Sequence, residues 1–264
     1  MLHTYVILCL TAAIAGAINA VAGGGTLLTF PALFAALTVI TGDHATAAVL
    51  ANGTSTVALM PGALSSFWAY RRELVGLRSW IILLGPVSLI GGLVGTFLVV
   101  YLPPELFKTL VPWLILTATT LFALQPQIAR WTGIGKPHEN ATRATVVGIV
   151  VFQFVVAVYG GYFGAGIGIL MLSALAMMGL ADIHQMNALK TLLASAINGV
   201  SAAVFIASGE VYWPYAGTMA VAAIVGGYVG ARVARKLDKN LVRMSVVAMG
   251  LILAAIFFYR QFAS

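Results

Sequence analysis

The sequence predicts an all-α polytopic membrane protein: about ten apolar segments, two of them short or re-entrant, in two inverted repeats of five. Three observations carry this expectation. The 264 residues are 61% hydrophobic and only 8% charged, with a mean hydropathy of +1.02, whereas a soluble domain carries about 25% charged residues. The apolar residues fall into runs near the roughly 20-residue, 1.5 Å-per-residue length that crosses a bilayer. Two glycine-rich stretches interrupt those runs at matching points of the two halves. One is Asn19-Ala20-Val21-Ala22-Gly23-Gly24-Gly25-Thr26 and the other Gly160-Gly161-Tyr162-Phe163-Gly164-Ala165-Gly166-Ile167-Gly168.

In chain order, the first half offers segments at 3–21, 25–41, 45–68, 79–101 and 105–124. The second offers 144–163, 167–181, 184–208, 211–234 and 240–261. Residues 1–124 and 144–264 are thus two membrane repeats, joined by a linker at 125–143 with Pro126, Gly133, Gly135 and Pro137. Segments two and seven are short. Oblique crossing and a re-entrant hairpin with the preceding segment both fit them. With the N-terminus outside and all segments crossing, Arg71, Arg72, Arg78, Arg130, Lys136, Arg143, Arg232, Arg235, Lys236, Lys239 and Arg243 fall inside. Only Lys108 and Arg260 fall outside, which selects this orientation. Fusing each short segment with its predecessor puts the 231–243 basic loop on the wrong side; re-entrant hairpins keep the sidedness.

The halves also match outside the glycine clusters. Gly91-Gly92-Leu93-Val94-Gly95 resembles Gly226-Gly227-Tyr228-Val229-Gly230, and Asp43 and Asp182 each open the third segment of a half, where an aspartate caps free N–H groups. An odd number of segments per repeat turns the second copy upside down. Such repeats place a site near the midplane, at discontinuous helices. The Gly91 and Gly226 clusters read as close helix packing.

Other classes find little support. The net charge of +7 sits in short loops, so it is topogenic rather than a nucleic-acid surface. Cys9 is the only cysteine, and the four histidines (His3, His44, His138, His184) have no ligand spacing, so neither a metal nor another cofactor is expected. No H-E-x-x-H or G-x-S-x-G motif suggests an enzyme. The partners expected are a lipid bilayer, a small anion, and at most a second copy as a homodimer.

The early Gly23-Gly24-Gly25 with Pro31-Ala32-Leu33 downstream, Asn52-Gly53-Thr54-Ser55 in segment three, and the second copy Gly164-Ala165-Gly166-Ile167-Gly168 resemble the sulfite exporter TauE/SafE (TSUP) family. The resemblance covers essentially the whole chain. It implies a prokaryotic-type inner-membrane carrier of sulfite, thiosulfate or organosulfonates such as sulfoacetate. The second copy departs from the first at Ala174, against Pro31, and at Lys190, near the place of Gly53.

Lys190 is the sharpest substrate-binding candidate, because an ionisable residue inside a membrane is a functional hypothesis by default. The competing reading is a lysine that snorkels to the interface. Gly23, Gly24, Gly25, Gly164, Gly166 and Gly168 permit breaks that aim helix N-termini at an anion; the alternative is helix packing. Asn19 and Thr26 add hydrogen bonds there. Asn52, Thr54 and Ser55 cluster in segment three. Asn187, Thr191, Ser195 and Asn198 form a stripe in segment eight. Gln153 and Tyr159 are further cavity candidates. All seven acidic residues lie at segment ends or in loops, leaving no buried carboxylate as a proton relay. The inside-negative potential favours anion export by about 2.3 kcal/mol per charge per 100 mV. An importer of a related anion and a non-transport membrane protein are the alternatives.

Overall fold

The computed structural model describes residues 2–21, 25–131, 143–177, 182–233 and 239–263. All regular structure among these residues is helical: α1 (Leu2–Val21), α2 (Thr26–Thr41), α3 (His44–Tyr70), a 3₁₀ turn (Arg71–Leu74), α4 (Arg78–Tyr101), α5 (Pro104–Trp131), α6 (Arg143–Tyr162), α7 (Ile167–Met177), α8 (Ile183–Ala207), α9 (Trp213–Val233) and α10 (Lys239–Ala263). Six of them, α1, α3, α4, α5, α8 and α10, are long and apolar enough to cross a membrane. At 16 residues α2 spans about 24 Å. The 11 residues of α7 span about 17 Å, short of a bilayer core. One element outruns its expected end: α5 continues through Pro126 to Trp131, while 132–142 lie outside the described residues.

Local chemistry sets the helix ends. Gly42, with φ +69°, caps α2 by donating its N–H to Thr38 O at 3.0 Å. The next residue, Asp43, opens α3 by accepting from Ala45 N at 3.2 Å and Thr46 N at 2.8 Å. The Thr46 hydroxyl first, and then those two N–H groups, hold the Asp43 carboxyl down at about 2. A depressed carboxylate stabilises the fold above its unfolded value, and that stabilisation is lost as pH falls through the folded one. Amide exchange at Ala45 and Thr46 is therefore expected to stay slow until pH drops below 3.8 towards 2. Asp43→Ala should exchange fast there even at neutral pH. Asp182 plays the same part for α8, accepting from His184 N at 2.8 Å.

Packing depends on small residues at helix crossings, as hydrocarbon provides no hydrophobic drive between helices. On α4, a methyl added at Gly91 would overlap Ala157 and one at Gly95 would overlap the Val158 carbonyl, both on α6. On α9, Gly226 lies against the Ala13 backbone of α1, and Gly16 of α1 against the Ala223 carbonyl. Buried Gln153 of α6 donates to Ser88 Oγ of α4 at 2.9 Å. Gly95→Val is expected to pry α4 from α6 and destabilise the fold by about 1–3 kcal/mol. A thermal melt in detergent checks this.

The core has two clusters. The larger gathers Phe30, Phe107, Phe122, Phe163 and Phe205 among others; the smaller gathers Leu84, Met171, Leu175, Met186, Leu193 and Ile197. Phe30, near the start of α2, meets Phe163, just past the end of α6, edge to face at 5.4 Å. Phe163 belongs to the second glycine-rich stretch, and Phe30 follows the first by four residues.

Candidate functional site at the α6–α7 break

The chain leaves helical geometry between Tyr162 and Ile167, where Gly164 (φ +82°) and Gly166 (φ +80°) are left-handed. An L side chain there costs about 1–2 kcal/mol. Broken helix ends expose carbonyls and N–H groups that must find partners. Tyr159 O accepts from Phe163 N at 2.9 Å and Gly164 N at 3.2 Å. Gly161 O accepts from buried Thr96 of α4 at 3.1 Å, and Tyr162 O from Asn52 Nδ2 of α3 at 2.9 Å. Polar side chains of the first half therefore hold open the break of the second.

Lys190 reaches the other end of this break. Its stem lies over Gly168, the second residue of α7: a methyl there would sit 3.4 Å from Cδ and 4.0 Å from Nζ. The half-buried ammonium donates to Asn187 Oδ1 at 3.3 Å and has no ion pair among the described residues. A helix N-terminus carries roughly half a positive charge. The first turn of α7 and Lys190 thus set two positive poles side by side, an arrangement that favours an anion. Asn198, two turns further along α8, faces Gly164, its Oδ1 4.0 Å from a methyl placed there.

The first break is built differently. Gly23 and Gly24 lie outside the described residues. Gly25 donates its N–H to Asn19 Oδ1 at 2.7 Å and leaves no room for a methyl beside Ala15 O. Its carbonyl accepts from Thr29 Oγ1 at 3.3 Å, and Thr29 in turn pairs with Ser55 Oγ at 2.6 Å. Thr29 is fully buried and was not among the sequence candidates. The only sequence signal for it is a hydroxyl one turn after Gly25, in the first turns of a short helix. Thr26 is half-buried at the start of α2.

Other candidates meet structural partners. Thr54 Oγ1 accepts from Tyr212 N at 2.9 Å, and Gly53 is where the Glu210 carbonyl presses on α3. The α8–α9 connection therefore seats on the Asn52-Gly53-Thr54 stretch. Burial there raises the Glu210 carboxyl above its ordinary value. Ser195 Oγ donates to Ala63 O at 3.2 Å, and Thr191 is half-buried.

The structure does not bring every candidate to one point. Gly53 against Phe205, Met60 against Gly199 and Ala63 against Ser195 fix α3 and α8 as antiparallel neighbours. That register puts Asn52 level with Ile206, about 24 Å along α8 from Lys190. Asn52 and Lys190 flank opposite ends of the second break. Two surface grooves, of about 620 and 360 Å³, lie against α4 and are lined by neither residue.

The model of the family described as "Sulfite exporter TauE/SafE" matches residues 8–257. A "Probable membrane transporter protein" of Haemophilus influenzae is 30% identical over 94% of this chain and 92% of its own length. The "Probable membrane transporter protein YfcA" of Escherichia coli K12 is 25% identical over 96% of this chain and 89% of its own. YunE of Bacillus subtilis, with the same description, is 28% identical over 91% and 92%. No solved structure matches the chain. With the family model spanning nearly its whole length, and helices apolar enough to cross a bilayer several times, the chain belongs to the sulfite exporter TauE/SafE family of multi-pass membrane transporters.

Proposed function

We propose that this protein is a secondary transporter that exports small sulfur-containing anions, such as sulfite, thiosulfate or sulfoacetate, across the inner membrane by alternating access. The observation that carries the reading is the Lys190 ammonium beside the N-terminal turn of α7, with no ion pair among the described residues. A cation at a helix N-terminus opposes the macrodipole, so the pair is most stable with an anion between them. The substrates follow from the family and from the single charge.

Packing supports an inverted repeat. α1 packs on α9 as α4 packs on α6; α3 packs on α9 as α4 packs on α8; α1 meets α2 as α6 meets α7. Exchanging the first five helices for the last five maps each of these contacts onto its counterpart. In this reading the N-terminus is outside, and the short helices α2 and α7 either cross obliquely or form re-entrant hairpins with α1 and α6, which leaves the loop sidedness the same. The close-packed breaks are an occluded state, and the two access states interconvert by rocking one repeat against the other. The membrane potential alone drives the exit of a negative charge.

Proteoliposomes containing the purified chain, with a clamped potential, test this. Saturable flux of labelled sulfite or sulfoacetate that follows the potential is expected. Absence of saturable flux for every sulfur anion would remove the transport reading, and flux indifferent to potential would remove the electrogenic one.

A further inference from the structure

The larger groove beside α4 has an apolar length and a polar mouth. It holds about 620 Å³ between α4 and α8. The two helices run parallel there: Gly92 lies against Ile197 and Val200, and Thr96 pairs with Ser201 at 2.7 Å. The groove therefore runs from Leu93 and Val200 at its deep end to Tyr101, Ser208 and Glu210, where both helices finish. From Leu93 to Tyr101 α4 rises about 12 Å, most of the roughly 15 Å that one leaflet contributes to a bilayer's hydrocarbon. Phe97, Ala203 and Ala207 are exposed along it, so it opens sideways as well as at the end. A second groove, of about 360 Å³, lies between α4 and α6, with Leu98, Phe154 and Val158 in its wall. Gly91 meets Phe154 and Gly95 meets Val158, which puts the two grooves at the same level. The exposed ridge of Val94, Phe97 and Tyr101 separates them.

One charged group lines the larger groove: the half-buried Glu210, at the mouth. Among the described residues no ion pair holds it, and burial alone raises its carboxyl. An apolar slot nearly one leaflet deep, open to the side and topped by such a carboxylate, matches an amphiphile with apolar chains and a cationic head. We propose that the two grooves seat a two-chain glycerophospholipid with a primary ammonium headgroup, of the phosphatidylethanolamine class, one chain on each flank of α4 and the ammonium against Glu210. A primary ammonium brings three N–H donors to the carboxylate, and the resulting hydrogen bond is charge-assisted. A trimethylated head brings none, and an anionic head is repelled. In the orientation proposed above, the ends of α4 and α8 face outside, so the lipid belongs to the outer leaflet. Neither Lys190 nor Asn52 lines either groove, so the site stands apart from the anion path.

The test uses the full chain in nanodiscs that hold equal amounts of phosphatidylethanolamine, phosphatidylcholine and phosphatidylglycerol with identical acyl chains. Native mass spectrometry of the protein released from them counts the lipids that stay bound. The wild type should retain phosphatidylethanolamine about fivefold over each of the others. Glu210→Gln, which keeps the shape and removes the charge, should level the three. Ala203→Trp fills the larger groove from its exposed wall. It should bring phosphatidylethanolamine down to the level of the other two without lowering the melting temperature, and it serves if Glu210→Gln does not fold. A wild type that retains the three lipids alike would overturn the site, leaving ordinary bilayer lipid in the grooves. So would a preference that survives either substitution. The assay contains no transported anion, so a chain that gives no saturable flux would overturn the transport reading and leave this one standing.

Discussion

Lys190→Gln is expected to abolish anion flux, with a loss of about 100-fold or more, in a protein that still inserts and melts cooperatively. Glutamine is one atom shorter, keeps a donor and removes the charge. A charge-assisted hydrogen bond in a desolvated site is worth about 1.5–3 kcal/mol, and about 1.4 kcal/mol is tenfold in affinity. The anion also loses the one cation that the described residues set beside the α7 N-terminus. Lys190→Arg should retain part of the flux, because charge is kept while the point-like ammonium becomes a planar fork. Snorkelling predicts the reverse for the neutral change: Lys190→Gln would transport normally, and Lys190→Met would be more stable as well. Counterflow assays on variants matched for melting temperature separate the two. The contact of the lysine stem with Gly168 favours the functional outcome, since a side chain free to reach solvent gains nothing from lying along a helix start.

Gly164→Ala should be nearly as damaging, with an expected loss of transport of about 10-fold or more. The backbone is left-handed at φ +82°, and an added methyl would sit 3.1 Å from Gly160 O and close to Asn198. Strain of about 1–2 kcal/mol falls on a four-residue break, and the easiest relief moves the first turn of α7 relative to Lys190. Gly62→Ala is the control. It lies inside α3, where an added methyl would meet nothing within 4 Å outside its own turn, so alanine should help the helix by about 0.5–1 kcal/mol and leave flux intact. Equal transport by both variants would mean that the break serves packing alone.

The candidate site was legible in its residue types but not in its partnerships. Glycine pairs flanked by apolar runs marked where helices stop, because a residue with no side chain is the cheapest way out of a helix. A lysine in an apolar helix marked itself by its desolvation cost. Asn52-Gly53-Thr54-Ser55 read as one polar cluster, yet the fold divides its labour. Asn52 holds the Tyr162 carbonyl, Gly53 admits the Glu210 carbonyl, Thr54 anchors Tyr212, and Ser55 joins Thr29. Every one of these partners is on another helix or in the α8–α9 connection. No spacing rule within α3 points to them.

Composition and local pattern alone determined that this is a many-helix membrane protein with interrupted helices, because hydrocarbon sets segment length and tolerates a break only where protein covers it. Aspartate caps and glycine turns fixed where helices start and end for the same local reason. Tertiary structure alone decided which end of the break receives the ammonium and which receives the Asn52 amide. That choice depends on the antiparallel register of α3 and α8, set by contacts between residues more than 130 positions apart, such as Ser195 with Ala63.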